Sequence, residues 1–253
     1  MTNAVYYIST PEFDLLEEGS TFDLTGDEGH HAKNVKRAEV GEGIDLADGA
    51  GRRATGSVLG ILDAGVRVGI NLLTQQSQQV TIYLVQALAK GDRDIQAIEM
   101  ATELGAHGVV PWSADRSIVR WKMERAAKAH AKWQNTVRAA AKQSRRAVIP
   151  QVFEQHSSAD LAELARELGD TALFLVLHEQ GEHRLTQELS ARLTDTVEEI
   201  YFLVGPEGGV SPRELELLKS AGSRVVLLGD EVLRSSTAGA AAISTLNIAL
   251  GRW

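Results

Sequence analysis

The chain has 253 residues, 24% of them charged and 43% hydrophobic, with 34 acidic against 26 basic side chains (formal net charge −8) and no cysteine. That length suffices for a substantial core in one large domain or two, and the missing cysteines exclude disulfides, thiolate nucleophiles and Cys-based zinc or iron–sulfur sites. Met1 to Asp14 lacks a basic region followed by an apolar core, and no apolar run is long enough to span a bilayer, so the expectation is a soluble, unexported, cytoplasmic protein with no membrane partner.

In chain order, residues 1–74 read as short β segments separated by turns at Gly19-Ser20, Gly41-Glu42-Gly43, Asp48-Gly49-Ala50-Gly51 and Asp63-Ala64-Gly65, a spacing that predicts a small barrel. The polar run Thr74-Gln75-Gln76-Ser77-Gln78-Gln79 is the expected linker. From there the texture alternates. A strand over Val80 to Ala87 precedes a helix over Ile95 to Leu104, a strand over Gly108 to Pro111 and a long basic helix from about Lys122 to Arg146. After Pro150 follow a helix over Ser158 to Leu168, a strand over Ala172 to Leu177, a helix over Thr186 to Leu193, strands over Ile200 to Val204 and Val225 to Leu228, and a last helix over Thr237 to Leu250. Alternation of this kind predicts an α/β domain over residues 80–253 with a largely parallel sheet, doubly wound by pattern alone.

The acidic total hides a basic block. Between Arg116 and Arg146 ten Lys/Arg face one acid, Glu124, so this stretch carries +9 and the remainder −17. Acidic i,i+4 partners, which would lace an ordinary surface helix, are nearly absent; the reading favoured is a face that binds nucleic-acid phosphates, against a merely solvated face.

The densest motif is Gly205-Pro206-Glu207-Gly208-Gly209-Val210-Ser211-Pro212, which follows a strand and starts a helix: Ser211 is a good N-cap, Pro212 suits the first turn and Glu214 completes a capping box. A second loop, Leu228-Gly229-Asp230-Glu231-Val232-Leu233-Arg234-Ser235-Ser236-Thr237-Ala238, repeats the strand–turn–helix design. Glycines there either shape tight connections or let the backbone approach a ligand, and the pairing of two such loops favours the ligand. Neither a G-x-x-x-x-G-K-[ST] nor an early G-x-G-x-x-G is present, which excludes the usual NTPase and Rossmann scaffolds. The seven histidines do not group as ligands, so no metal is expected. Trp112, Trp121 and Trp133 could stack on unpaired bases, but aromatics at such spacing more often pack a core or an interface.

In order and wording the two loops resemble the SPOUT class of S-adenosylmethionine-dependent RNA methyltransferases, most closely the RsmE family, which methylates N3 of a uridine in small-subunit ribosomal RNA. Lys90-Gly91-Asp92-Arg93, Ala101-Thr102-Glu103-Leu104-Gly105, Arg116-Ser117, Lys132-Trp133 and Gln143-Ser144-Arg145-Arg146 match further signatures, as do His31, Asn34-Val35-Lys36-Arg37 and Val40-Gly41-Glu42 near the front. The chain departs from the family pattern at Glu231 (family Arg), Ser236 (Glu) and Met100 (Lys).

The resemblance implies a PUA-like RNA-binding β-barrel over 1–74, a SPOUT domain with a C-terminal trefoil knot over 80–253, and a homodimer acting on 16S ribosomal RNA or the small subunit. It implies a cofactor site formed by Leu177, His178, Gly205, Pro206, Gly208, Gly209, Leu228, Gly229, Val232, Leu233, Thr237 and Ala238, and RNA contacts from Lys33, Arg37, Arg93, Lys132, Arg138, Arg145 and Arg146. For catalysis, Arg234 would steady charge on a deprotonated uracil, with a structural salt bridge as its alternative role. Glu207 would accept the N3 proton or would cap the neighbouring helix dipole. The rival functions are a ribose 2′-O-methyltransferase of the same superfamily and a catalytically silent ribosome-assembly RNA-binding factor.

Overall fold

The computed structural model describes residues 3–76, 80–122 and 124–253. Ser77, Gln78 and Gln79 of the expected linker lie outside the described residues. The chain divides into two compact units, one formed by Met1–Ser77 with Ala141–Ile149 and the other by Gln78–Ala140 with Pro150–Trp253.

The first unit contains, in order, β1 (Ala4–Tyr7), α1 (Thr10–Phe13), β2 (Thr21–Leu24), α2 (Gly26–His30), β3 (Gly43–Ala47), β4 (Arg52–Leu62) and β5 (Gly65–Gln75). Its strands form one sheet in the order β1-β3-β4-β5-β2, with β1 parallel to β3 and the other pairs antiparallel. Along β4 the buried positions Ala54, Gly56 and Val58 alternate with more exposed ones, as a pleated strand with one core face requires. Their partners in that core include Tyr6, Leu24, Ile44, Leu46, Val66, Val68 and Ile70. The opposite face of β1, Val5 and Tyr7, packs on Ala47, Ala141 and Ala147. Tyr7 also donates its hydroxyl to the Arg146 carbonyl at 2.8 Å, which ties residues 141–149 into this unit. The short helices were not expected. α1 starts at a Ser9–Glu12 capping box, and α2 continues as a π-helix over His31–Val35.

The second unit contains β6 (Thr81–Ala87), α3 (Arg93–Glu103), β7 (Gly108–Trp112), α4 (Glu124–Gln143), β8 (Gln151–Val152), α5 (Ser158–Glu167), β9 (Ala172–Leu177), β10 (His183–Arg184), α6 (Leu185–Arg192), β11 (Glu199–Val204), α7 (Pro212–Ser220), β12 (Arg224–Leu227) and α8 (Ser235–Ala249). The seven strands are all parallel, in the order β10-β12-β9-β11-β6-β7-β8. Central strands buried on both faces explain the near-continuous apolar runs of β6, β9 and β11.

On one face Val85, Val176 and Leu203 meet Leu161 and Ala162 of α5 and Leu215 and Leu218 of α7. There Tyr201 stacks on Tyr83 and Phe174, with ring centroids 4.4 and 5.6 Å apart. Helices α3 and α8 pack on each other and on β6. The chain runs from β6 out to β7 and β8 on one side, and β9, β11 and β12 lie on the other. β6 and β11 therefore stand where strand order reverses, the place where open α/β sheets hold ligands.

Helix α4 buries Trp133, Val137, Ala140 and Ala141, a helical stripe, and exposes Lys128, Lys132 and Arg138. Trp112 and Trp133 are fully buried, and Trp121 packs edge-on against Trp133 at 5.3 Å. Two of the three tryptophans weighed for base stacking are thus core residues. Among the described residues no helix is long and apolar enough to cross a membrane.

Candidate functional site

Loops leaving the carboxyl ends of β9, β11 and β12 enclose a cavity of about 780 Å³. That volume falls within the range of small-molecule sites, about 300–1,000 Å³. Leu177 and His178 line it from the end of β9, Gly205 to Gly209 from the β11–α7 loop, and Leu228, Gly229, Val232, Leu233 and Arg234 from the β12–α8 loop. Ala238 reaches it from α8. Thr237 is not among the lining residues; its amide donates to the Arg234 carbonyl at 2.8 Å as part of the first helical turn. Arg93, Arg116 and Ser235, none of them expected in the cofactor site, are among the other lining residues.

The β11–α7 loop is shaped by local chemistry. Gly209 has φ +73°, a left-handed conformation that side-chain-bearing residues adopt at a cost, and its amide closes a turn onto the Pro206 carbonyl at 2.8 Å. A Cβ on Gly205 would lie 2.9 Å from Val210 Cγ2. Ser211 and Glu214 form the capping box at the start of α7. Glu214 is fully buried, and besides the Ser211 amide (2.9 Å) it accepts hydrogen bonds from the Asp115 amide (2.7 Å) and the Ser158 hydroxyl (2.6 Å). Trp112 Nε1 donates in turn to Ser158 Oγ at 3.1 Å. Asp115 accepts from Ser211 Oγ (2.8 Å) and from the Arg213 guanidinium (2.7 and 3.1 Å), and the Arg213 contact, followed by that of Ser211, holds its carboxyl below the usual carboxylate range. The loop is therefore fastened behind the cavity by a polar network.

Glu207 does not cap α7, because Ser211 and Glu214 already do. Its Oε1 instead accepts from Arg93 Nη1 at 2.9 Å and from the Lys90 amide at 3.3 Å. Among the described residues no hydrogen bond joins the Glu207 carboxylate to the α7 amides. The pairing with Glu207 places Arg93, expected among the RNA contacts, in the cavity wall. Arg116 Nη1 donates to the Gly208 carbonyl at 3.0 Å, so two arginines from distant parts of the chain bind this loop.

In the β12–α8 loop Val232 is 77% and Leu233 38% exposed, and both apolar side chains border the cavity. Arg234 occupies the N-cap position of α8 with an extended backbone and an exposed side chain. Among the described residues no ion pair involves it, so its salt-bridge alternative has no partner there. His178 Nδ1 accepts from the Gln180 amide at 3.1 Å, and burial lowers the ring's pKa, so the neutral ring carries its proton on Nε2. Among the described residues no group of three or more His, Cys, Asp or Glu is placed to hold a metal ion.

The cations expected on RNA separate into two sets. Arg37, Lys132, Arg138 and Arg145 are exposed, with Lys132 paired to Asp92 at 2.6 Å. Lys33 is committed elsewhere, donating from Nζ to the carbonyls of Leu62 (2.8 Å) and Asp63 (3.0 Å). Arg146 is half-buried, and desolvation pushes its pKa down to about 10, the behaviour of an inward guanidinium rather than an open phosphate ligand.

A profile of the RNA methyltransferase domain matches residues 76–247, and one of the RNA methyltransferase PUA domain matches residues 24–64. Over 255 aligned residues the chain is 37% identical to the protein of Mycobacterium bovis called ribosomal RNA small subunit methyltransferase E, covering 100% of this chain and 94% of the relative. The protein of that name from Bacillus subtilis is 28% identical, over 92% of this chain and 91% of its own length. Among solved structures, ribosomal RNA small subunit methyltransferase E from Neisseria gonorrhoeae, bound to S-adenosyl methionine, superposes with a TM-score of 0.81 at 28% identity over 98% of both chains.

Proposed function

The chain belongs to the RNA methyltransferase family that includes ribosomal RNA small subunit methyltransferase E, and from that membership we propose that it uses S-adenosylmethionine to methylate N3 of a uridine in 16S ribosomal RNA. The observation that carries the reading is the cavity at the strand carboxyl ends, bordered by exposed apolar Val232 and Leu233 and by Arg234, which has no ion-pair partner among the described residues.

The residues present fit the cofactor. Backbone from Gly205 to Gly209 and from Leu228 to Gly229 stands open to the edge of an adenine, and Leu177, Val232 and Leu233 offer apolar surface to its face. When bound, S-adenosylmethionine supplies an electrophilic methyl group on a sulfonium. The chain's own contribution is to prepare the base. Methylation at N3 requires loss of the N3 proton, which leaves charge on the two flanking carbonyl oxygens; the planar Arg234 guanidinium is suited to hold that charge, and Glu207 to accept the proton directly or through water. With Oε1 engaged by Arg93 and the Lys90 amide, Oε2 is the oxygen assigned to that proton.

Arg37, Lys132, Arg138 and Arg145 supply the exposed cations for RNA phosphates. The reading includes a PUA-like unit, a knotted SPOUT unit, a cytoplasmic location and action as a homodimer, whose mass light scattering would report. The test is transfer of radiolabelled methyl from the cofactor to purified ribosomal RNA or subunits. Label entering small-subunit RNA supports the proposal; RNA binding without transfer would leave a silent RNA-binding factor.

A further inference from the structure

The start of α8 has an unusual electrostatic composition. The helix is 15 residues long, its N-cap residue Arg234 makes no side-chain cap bond, and its first turn contains no acid. Ser236 stands where the resembling family carries a glutamate, so no carboxylate of the first turn offsets the positive end of the helix dipole. Amides of Thr237 and Ala238 close onto the Arg234 carbonyl, which leaves those of Ser235 and Ser236 as the end's open donors. A second observation is independent of the helix end. Ser235 is 8% exposed, lines the cavity, and its hydroxyl oxygen is buried with no hydrogen-bond partner among the described residues. A buried hydroxyl left unpaired costs free energy, so its position on a ligand cavity points to a partner that the ligand brings.

We propose that Ser235, with the α8 amino terminus, forms the subsite for the α-carboxylate of the S-adenosylmethionine amino-acid moiety. The inference rests on the cofactor reading above and adds to it a residue and a recognised group. The carboxylate is the cofactor's only anionic group; an uncapped helix end and a serine hydroxyl supply N–H and O–H donors, and the dipole favours negative charge. Ser235 is here a binding residue with no part in proton transfer.

The experiment compares two ligands by titration calorimetry on the whole protein: S-adenosylhomocysteine, which carries the carboxylate, and 5′-methylthioadenosine, which keeps nucleoside and sulfur but lacks it. In Ser235→Ala, S-adenosylhomocysteine affinity is expected to fall about tenfold, as for a lost hydrogen bond to a charged group, while methylthioadenosine affinity stays unchanged. Ser235→Thr, which keeps the hydroxyl, is expected to retain most of the discrimination. Equal losses for both ligands, or no loss for either, would overturn the subsite. Unchanged S-adenosylhomocysteine affinity with slowed single-turnover methylation would overturn it too, by moving the anion to the uracil. Failure of wild-type protein to bind either ligand would instead sink the cofactor reading itself.

Discussion

Removing the Glu214 carboxylate tests whether the buried network sets the cavity loop. Glu214→Ala deletes the capping-box acceptor, worth about 1 kcal/mol at a helix start. It also strands the Asp115 amide and the Ser158 hydroxyl, now bonded at 2.7 and 2.6 Å, at about 1–3 kcal/mol for each buried donor left unmet. The total expected loss is about 3–7 kcal/mol, the lower part of which matches the cost of breaking a buried polar network by removing one partner. Glu214→Gln keeps the shape but turns an NH₂ toward either the Ser211 amide or the Asp115 and Ser158 donors, so its loss should be smaller, about 1–3 kcal/mol. Urea denaturation, with the m-value compared to wild type, measures both. Hydrogen exchange across residues 112–118 and 205–215 shows whether the opening is local. A loss below about 1 kcal/mol for the alanine variant, or exchange unchanged in both segments, would refute the idea that this network holds the loop in place.

Four further outcomes follow from the same geometry. Gly209→Val places a β-branched residue at φ +73°, a strain of about 1–3 kcal/mol, and is expected to weaken S-adenosylmethionine binding by calorimetry on folded protein; wild-type affinity would remove this loop from the site. Arg234→Lys keeps the charge but loses the planar fork, so single-turnover methylation should slow about a hundredfold with cofactor and RNA affinity little changed; a rate within a fewfold of wild type would make Arg234 structural. Neutralising Arg138 and Arg145 should lower the salt dependence of RNA binding by about one counterion per lost contact, whereas Arg146→Gln should act on stability instead. Burial, the largest cause, lowers the pKa of both His31 and His178 below the ordinary 6.5. The unfolded chain therefore takes up protons first as pH falls, so stability is complete above pH 6.5 and declines below it, and urea midpoints across that range should show the fall flattened when either ring is replaced by glutamine.

Much of the cavity was legible because its chemistry is local. Ser211, Pro212 and Glu214 announce a helix start within four positions, and glycines on both sides of Glu207 mark a turn, so the loop and its strand could be placed without tertiary information. The α8 start was placed two residues late, since Ser235 and Ser236 read equally well as loop. Contacts made across the sequence were not legible. Arg93 and Arg116 reach the β11–α7 loop from more than ninety positions away, and a charge run gives no sign of which cation will turn inward. The resemblance names Lys33, Arg93 and Arg146 as RNA contacts but carries no sign that Lys33 binds two carbonyls, that Arg93 pairs with Glu207 or that Arg146 is half-buried. The helices α1 and α2 are too short to show a 3.6-residue period.

The most direct test of the account is the identity of the methylated nucleoside. Small-subunit RNA treated with the protein and isotopically labelled S-adenosylmethionine, then digested to nucleosides and analysed by mass spectrometry, should yield labelled N3-methyluridine, and its formation at limiting cofactor should be reduced in the Gly209→Val variant. A labelled 2′-O-methyl nucleoside, or label on any base position other than uracil N3, would contradict it.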